Sequence, residues 1–299
     1  MRESGVTAVD GLPRSRAAWE RRLEQLVREN RFTISVFFPL NGIVLLIASA
    51  EGWLPEPLAF HGLLILSGTV VMRSPLIVGV APTATRKTVA AVGLLAAYAY
   101  GIEYVGVHTG WPYGSFEYVV DLGPIVGGVP AGLPVFFIPL VVNAYLLVVL
   151  LLGDRARNTI TRLLSVIALV LTMDVVLDPG AVALQFWNYA DPGVPVFGGA
   201  LSAGGVFYGV PLSNYAGWVL SATVAVVLLD WGFDQAAIRE RLDDCVFMLD
   251  DMVSFVILWG GINFWFGNYL PAVVAGVIGV GLWWTDQFDA DLVASEFGS

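Results

Sequence analysis

Eight apolar stretches alternate with short polar ones along the chain, at roughly 32–50, 58–80, 88–108, 132–152, 160–178, 214–230, 246–263 and 269–285. Each is close to the roughly 17–25 residues that carry a helix across a bilayer. The seventh is the weakest, because Asp250 and Asp251 interrupt its start. The pattern predicts an all-α polytopic membrane protein of about eight transmembrane helices. No short apolar core with a small-residue cleavage site precedes the first run, so no cleaved signal peptide is expected. From Ser15 onward, Trp19, Leu23, Leu26 and Val27 recur on one helical face with Arg and Glu elsewhere, the pattern of an interfacial helix. The expected organisation is a cytoplasmic interfacial segment at 1–31, one transmembrane helical domain at 32–286 and an acidic cytoplasmic tail at 287–299.

The basic residues orient this array. All 15 lie within 1–31 or flank the even-numbered connections, at Arg73, Arg86 and Lys87, at Arg155, Arg157 and Arg162, and at Arg239 and Arg241. The odd-numbered connections, near 51–57, 109–131, 179–213 and 264–268, carry none. Basic residues favour the cytoplasmic side, so both termini are expected there, in a multi-pass protein of the cell membrane. The two long connections, 109–131 and 179–213, then become outer loops. They are rich in Gly, Pro and aromatics and poor in charge, which predicts re-entrant or lid segments folded against the bundle. They also resemble each other. Gly128-Val129-Pro130 and Gly209-Val210-Pro211 each precede a helix, and each loop has an aromatic cluster: Trp111, Tyr113, Phe116 and Tyr118, then Trp187, Tyr189, Phe207 and Tyr208. These short matches are compatible with a duplicated helix–loop–helix unit.

Composition narrows the chemistry. The chain is 57% apolar and 13% charged, against about 25% charged in soluble domains. One Cys excludes a disulfide framework or thiolate metal cluster, and two His exclude a multi-histidine iron site. The single Lys87 lies in TATRKTVA at a helix start, neither in a phosphate-binding glycine loop nor buried mid-membrane as a retinal Schiff base requires. No metal, cofactor or nucleic-acid partner is expected. The net charge of −10, with one Lys against 14 Arg, suits a high-salt cytoplasm in which self-repulsion is screened.

An ionisable group inside a bilayer is costly and is a functional candidate by default. Glu103 in the third run, and Asp174 and Asp178 in the fifth, all lie toward the outer ends of their helices. Asp174 and Asp178 are at i and i+4, so they share a helix face about 6 Å apart. Two carboxylates that close resist double ionisation in a low dielectric, leaving one as a neutral acid able to donate a proton. Asp178 precedes Pro179, which is expected to end the helix at the loop mouth; there Asp178 would equally serve as a cap. Glu117 and Asp121 are either solvated or catalytic. His108 is expected to hydrogen-bond, and His61 to make a buried polar contact. Asn143 and Asn214 could orient a carboxylate or join helices. Asp243, Asp244, Asp250, Asp251, Asp286 and Asp289 read as a solvated acidic surface. The aromatics form either an interfacial belt or a cradle for a carbocation, since aromatic faces attract cations.

Together the loop segments resemble a known family. Glu103-Tyr104-x-Gly106, Gly110-Trp111-Pro112-Tyr113-Gly114, Tyr118, Gly123 and Gly128-Val129-Pro130 form one block. Asp174 through Asp178-Pro179, Trp187, Tyr208-Gly209-Val210-Pro211 and Asn214-Tyr215-x-Gly217-Trp218 form the second. Residues 95–220 are similar to the CruF-type carotenoid hydratases, and the rest of the chain follows by topology. The resemblance implies a long apolar polyene as substrate, with water as co-substrate and the bilayer as surroundings. It also implies possible association with other carotenoid-pathway enzymes. The implied reaction adds water to terminal C=C bonds of a fifty-carbon carotenoid, by protonation to a tertiary cation and water capture. Glu103 and Asp174 become the acid and its partner, with Asp178 and Glu117 next for positioning water; which one donates is open. Tyr104, Trp111, Tyr113, Tyr118, Trp187, Tyr208, Asn214 and Trp218 become substrate-binding candidates. Two rivals remain: a lycopene-type cyclase, in which a neighbouring alkene captures the cation, and a non-enzymatic carotenoid or lipid carrier or transporter.

Overall fold

A computed structural model of the chain describes residues 15–120, 123–189 and 206–285. The expected interfacial helix is α1, Arg16–Glu29, and Ser15 caps it by accepting from the Ala18 amide at 3.2 Å. Val27 is buried, while Trp19, Leu23 and Leu26 stay exposed. A π-helical turn, Thr33–Phe37, joins it to α2, Phe38–Ala50. The bundle continues with α3 (Gly62–Val80), α4 (Arg86–Thr109), α5 (Leu133–Leu152), α6 (Thr159–Ala183) and α7 (Leu212–Gly232). A short amphipathic helix, α8 (Gln235–Asp244), carries Arg239 and Arg241, and α9 (Asp250–Trp265) and α10 (Tyr269–Trp284) close the chain.

Among the described residues six helical stretches are long and apolar enough to span a bilayer, rather than eight. The seventh and eighth runs give α9 and α10, of 16 residues each. At ~1.5 Å per residue such a helix rises about 24 Å, short of a hydrocarbon core of about 30 Å. α5 is the most deeply packed of the long helices, between α4, α6 and α3, while α9 is enclosed by α10, α2, α6 and α3.

Two further expectations change. Asp250 and Asp251 are not a solvated surface; both are buried. Arg31 donates to both Asp250 oxygens, at 2.7 and 2.8 Å. Arg73 and Asn143 both donate to Asp251. A third pair, Arg162 with Asp230, is joined by the Tyr145 hydroxyl at 2.8 Å. The partners lie far apart in sequence, so no local pattern revealed them, and an unpaired charge at that depth would be prohibitive. Asp243 and Asp244 are exposed, as expected, whereas Asp286 and Asp289 lie outside the described residues.

Pro179 does not end its helix. α6 runs through it to Ala183. Proline removes one ladder donor, and a membrane offers no water to replace it. The carbonyl that loses its donor is that of Val175, four residues back; beside it, side-chain amides from the α9 end tie the same stretch to its neighbour, Asn263 Nδ2 to the Val176 carbonyl at 2.7 Å and Asn268 Nδ2 to the Pro179 carbonyl at 3.1 Å. The helix therefore keeps Asp174 and Asp178 on one face.

The two long connections fold back on the bundle as small ladders. β1 (Phe116–Tyr118) pairs antiparallel with β4 (Trp187–Tyr189), tying one connection to the other. β2 (Ile125–Val126) and β3 (Val129–Pro130) form one hairpin; β5 (Val206–Phe207) and β6 (Val210–Pro211) form its counterpart. Gly128 and Gly209, at φ +82° and +87°, turn the two hairpins in the left-handed region that glycine adopts freely.

Candidate active site

Side chains alternate along a strand. Phe116 and Tyr118 on β1, with Trp187 and Tyr189 on β4, therefore face inward, while Glu117 and Asn188 point away and are exposed. The inward aromatics roof a chamber of about 100 Å³ at the loop end of the bundle. Its walls come from α4, α5, α6, α7 and α9, through Glu103, Phe137, Asp178, Asn214, Trp218 and Trp259.

Two carboxylates face this space from different helices. Tyr118 donates its hydroxyl to Glu103 Oε2 at 3.1 Å, and Tyr189 donates to Asp178 Oδ2 at 3.1 Å. Both acids are buried. Burial and the adjacent carboxylates, Glu103 for Tyr118 and Asp178 for Tyr189, hold both phenols well above their ordinary range. Both therefore remain proton-bearing donors at neutral pH. Asn214 Nδ2 bridges Asp178 Oδ2 at 2.6 Å and Asp174 Oδ2 at 2.8 Å. Asp174 is wholly buried behind this amide, outside the chamber lining, and its Oδ1 has no partner among the described residues.

Aromatic faces cover the remaining wall. Phe137 and Trp218 stack with ring centres 5.1 Å apart. Tyr113 is buried beside Trp218 and shares its hydroxyl with Ser221 Oγ at 2.6 Å. Gly217 makes that approach possible, since a Cβ there would lie 2.4 Å from the Tyr113 ring.

The structure thus brings together Glu103, Asp178, Tyr113, Tyr118, Trp187, Asn214 and Trp218, with Asp174 one layer behind. It does not bring in Glu117, Tyr104, Trp111 or Tyr208. Tyr104 packs on His108, whose Nδ1 meets the Tyr104 carbonyl at 2.8 Å. Trp111 is exposed, and Tyr208 sits on the second hairpin against Phe207. Asp121 lies outside the described residues. His61, expected to make a polar contact, has no partner for its buried Nδ1 among the described residues. Tyr189 stands in the aromatic cluster of the second loop but not among the substrate-binding candidates, and Phe137 and Trp259 are in neither. Tyr189 was detectable, being two residues from Trp187 in an aromatic–polar–aromatic triplet that matches Phe116-Glu117-Tyr118. Phe137 and Trp259 left no comparable signal in uniformly apolar helices.

Comparisons with known proteins place the chain in a family. The family of carotenoid biosynthesis proteins matches residues 60–282. A bisanhydrobacterioruberin hydratase from Haloarcula japonica is 56% identical over 288 residues, covering 96% of this chain and 94% of that protein. No solved structure matches.

Proposed function

The chain belongs to the family of carotenoid biosynthesis proteins, and on that premise we propose that it is a carotenoid hydratase, converting bisanhydrobacterioruberin to bacterioruberin by adding water to the terminal C=C bonds. The carrying observation is the pair Glu103 and Asp178, each with its own tyrosine donor, facing one aromatic-walled chamber.

Hydration of a trisubstituted alkene needs an acid, a shield for the cation, and a base for water. Asp178 accepts two hydrogen bonds, from Tyr189 and Asn214, and is suited to be the carboxylate. Glu103 accepts one, from Tyr118, and is suited to be the acid. In this assignment the Glu103 carboxyl gives its proton to the less substituted alkene carbon, and the π bond becomes a C–H bond and a tertiary cation. The faces of Trp218, Phe137 and Trp187 and the Asp178 carboxylate stabilise that cation. Water forms the C–O bond and loses a proton to Asp178. Proton return from Asp178 to Glu103 resets the site. Asp174 acts through Asn214 as a positioning residue.

Topologically, the reading has both termini on the cytoplasmic side of the cell membrane. The short α9 and α10 serve as seventh and eighth crossings, and the chamber lies toward the outer leaflet. Segregation of the basic residues supports this.

The test is product analysis in a host that accumulates bisanhydrobacterioruberin. Successive gain of one and then two waters in the carotenoid mass is expected. Unchanged mass with a shifted absorption spectrum would mean cyclisation. Unchanged mass and spectrum with folded protein would overturn the enzymatic reading in favour of a carrier.

A further inference from the structure

A second cavity, of about 460 Å³, opens between α2 and α3. Phe136, Phe186 and Trp259 line both it and the catalytic chamber, so the two spaces meet at these three rings. The cleft follows α3 from His61 to Met72, about 16 Å of helical rise. Its mouth is lateral: Leu45 and Leu64 line it and are about half exposed on the surface that a bilayer would cover.

Four polar residues on the cleft are turned back on their own helices, while His61 at one end of it keeps a buried Nδ1 without a partner among the described residues. Asn41 Nδ2 donates to the Phe37 carbonyl, Ser49 Oγ to Leu45, Ser67 Oγ to Leu64 and Thr69 Oγ1 to Ile65. Apart from that one imidazole, what remains to a guest is hydrocarbon surface. A charged or strongly polar ligand would lose its hydration there without replacement. A long apolar chain would not. The catalytic chamber, at about 100 Å³, cannot enclose a fifty-carbon polyene.

We propose that the α2–α3 cleft seats the polyene shaft of the substrate, entering sideways from the lipid, while one terminal alkene passes Phe136, Phe186 and Trp259 to lie between Glu103 and Asp178. The proposal rests on the hydratase reading and adds where most of the substrate binds.

Gly68 gives a direct test. It lines the cleft, and a Cβ there would meet nothing within 4 Å, so Gly68→Trp fills the cleft without displacing its own helix. Gly93→Trp is the control, at an exposed α4 glycine with the same open surroundings, away from the cleft. Leu45→Trp at the mouth is the second cleft variant, should Gly68→Trp not fold. Each purified protein is given bisanhydrobacterioruberin and a short analogue carrying the same terminal alkene without the polyene. Retention of the long polyene is read by absorbance, and turnover of both substrates by mass.

The cleft variant should lose the long substrate by about tenfold or more in kcat/KM. It should retain less polyene, hydrate the short analogue as wild type does, and leave Gly93→Trp unaffected. Undiminished retention and turnover of the long polyene would overturn the proposal. So would equal loss of both substrates in a folded variant, or a cleft that retains phospholipid and excludes polyene. If wild type retains polyene but hydrates neither substrate, the hydratase reading falls, and the retention comparison still judges the cleft.

Discussion

Glu103 and Asp178 occupy matching places in two copies of one helix–strand–hairpin unit. Four residues beyond each acid, Val107 and Val182 pack on the corresponding hairpin glycines: a Cβ at Gly128 would lie 3.0 Å from Val107, and one at Gly209 2.8 Å from Val182. Each acid also receives a hydroxyl from the strand of its own unit, Tyr118 or Tyr189, and the two strands pair antiparallel. The copies differ behind the acids. One turn before Asp178 stands Asp174, bridged by Asn214; one turn before Glu103 stands Ala99. In the proposed mechanism that asymmetry divides the roles of two otherwise similar carboxylates.

Glu103→Gln keeps the Tyr118 contact but cannot protonate an alkene. Turnover should fall about 10²–10⁴-fold, the usual contribution of a general acid, and polyene retention should persist. Asp178→Asn should lose activity on the same scale. Turnover of either variant within a few-fold of wild type would remove that residue from the acid–base pair.

Asp174→Asn should act only through Asn214. We expect kcat to fall about tenfold, equivalent to one net hydrogen bond of ~1.4 kcal/mol, with KM preserved. A loss as large as that of Asp178→Asn, with KM also changed, would place Asp174 in contact with substrate.

Tyr118→Phe and Tyr189→Phe each delete one donor to a carboxylate, worth about 1.5–3 kcal/mol. Each should lower kcat by roughly 10–100-fold. Glu117→Gln, on the outward side of the same strand, should leave kcat and KM unchanged. Comparing the three variants in parallel checks the strand register as well as the chemistry.

Arg73→Ala leaves Asp251 buried without its cation and should destabilise the fold by about 3–5 kcal/mol. Arg73→Met combined with Asp251→Leu should recover most of that loss. Thermal unfolding in detergent measures both. Activity per folded molecule should be little changed, because neither Arg73 nor Asp251 lines the chamber or the cleft.

The local arguments worked where chemistry is confined to one helix or one strand. Apolar runs located the long helices, since hydrocarbon length is a property of consecutive residues. The i, i+4 spacing placed Asp174 and Asp178 on one face, and the cost of a buried charge singled out Glu103. The Gly-Val-Pro repeats marked the two connections as alike without revealing their hairpins, and the sparse charge of those connections pointed to segments folded against the bundle.

Tertiary structure decided the rest. Only the β1–β4 ladder turned Glu117 outward and Tyr189 inward, because alternation has no sign until a strand has a partner. Asn263 and Asn268 on a neighbouring element tie down the α6 stretch around Pro179, and Arg31, Arg73 and Asn143 make burial of Asp250 and Asp251 tolerable. The order of the carboxylates changed for the same reason: Asp178 faces the chamber and Asp174 lies behind Asn214. Sequence by itself determined which residues are too costly to bury without purpose. Which partners meet that cost, and which acids reach the cavity, depended on contacts between residues dozens to hundreds of positions apart, and those exist only once the helices have packed.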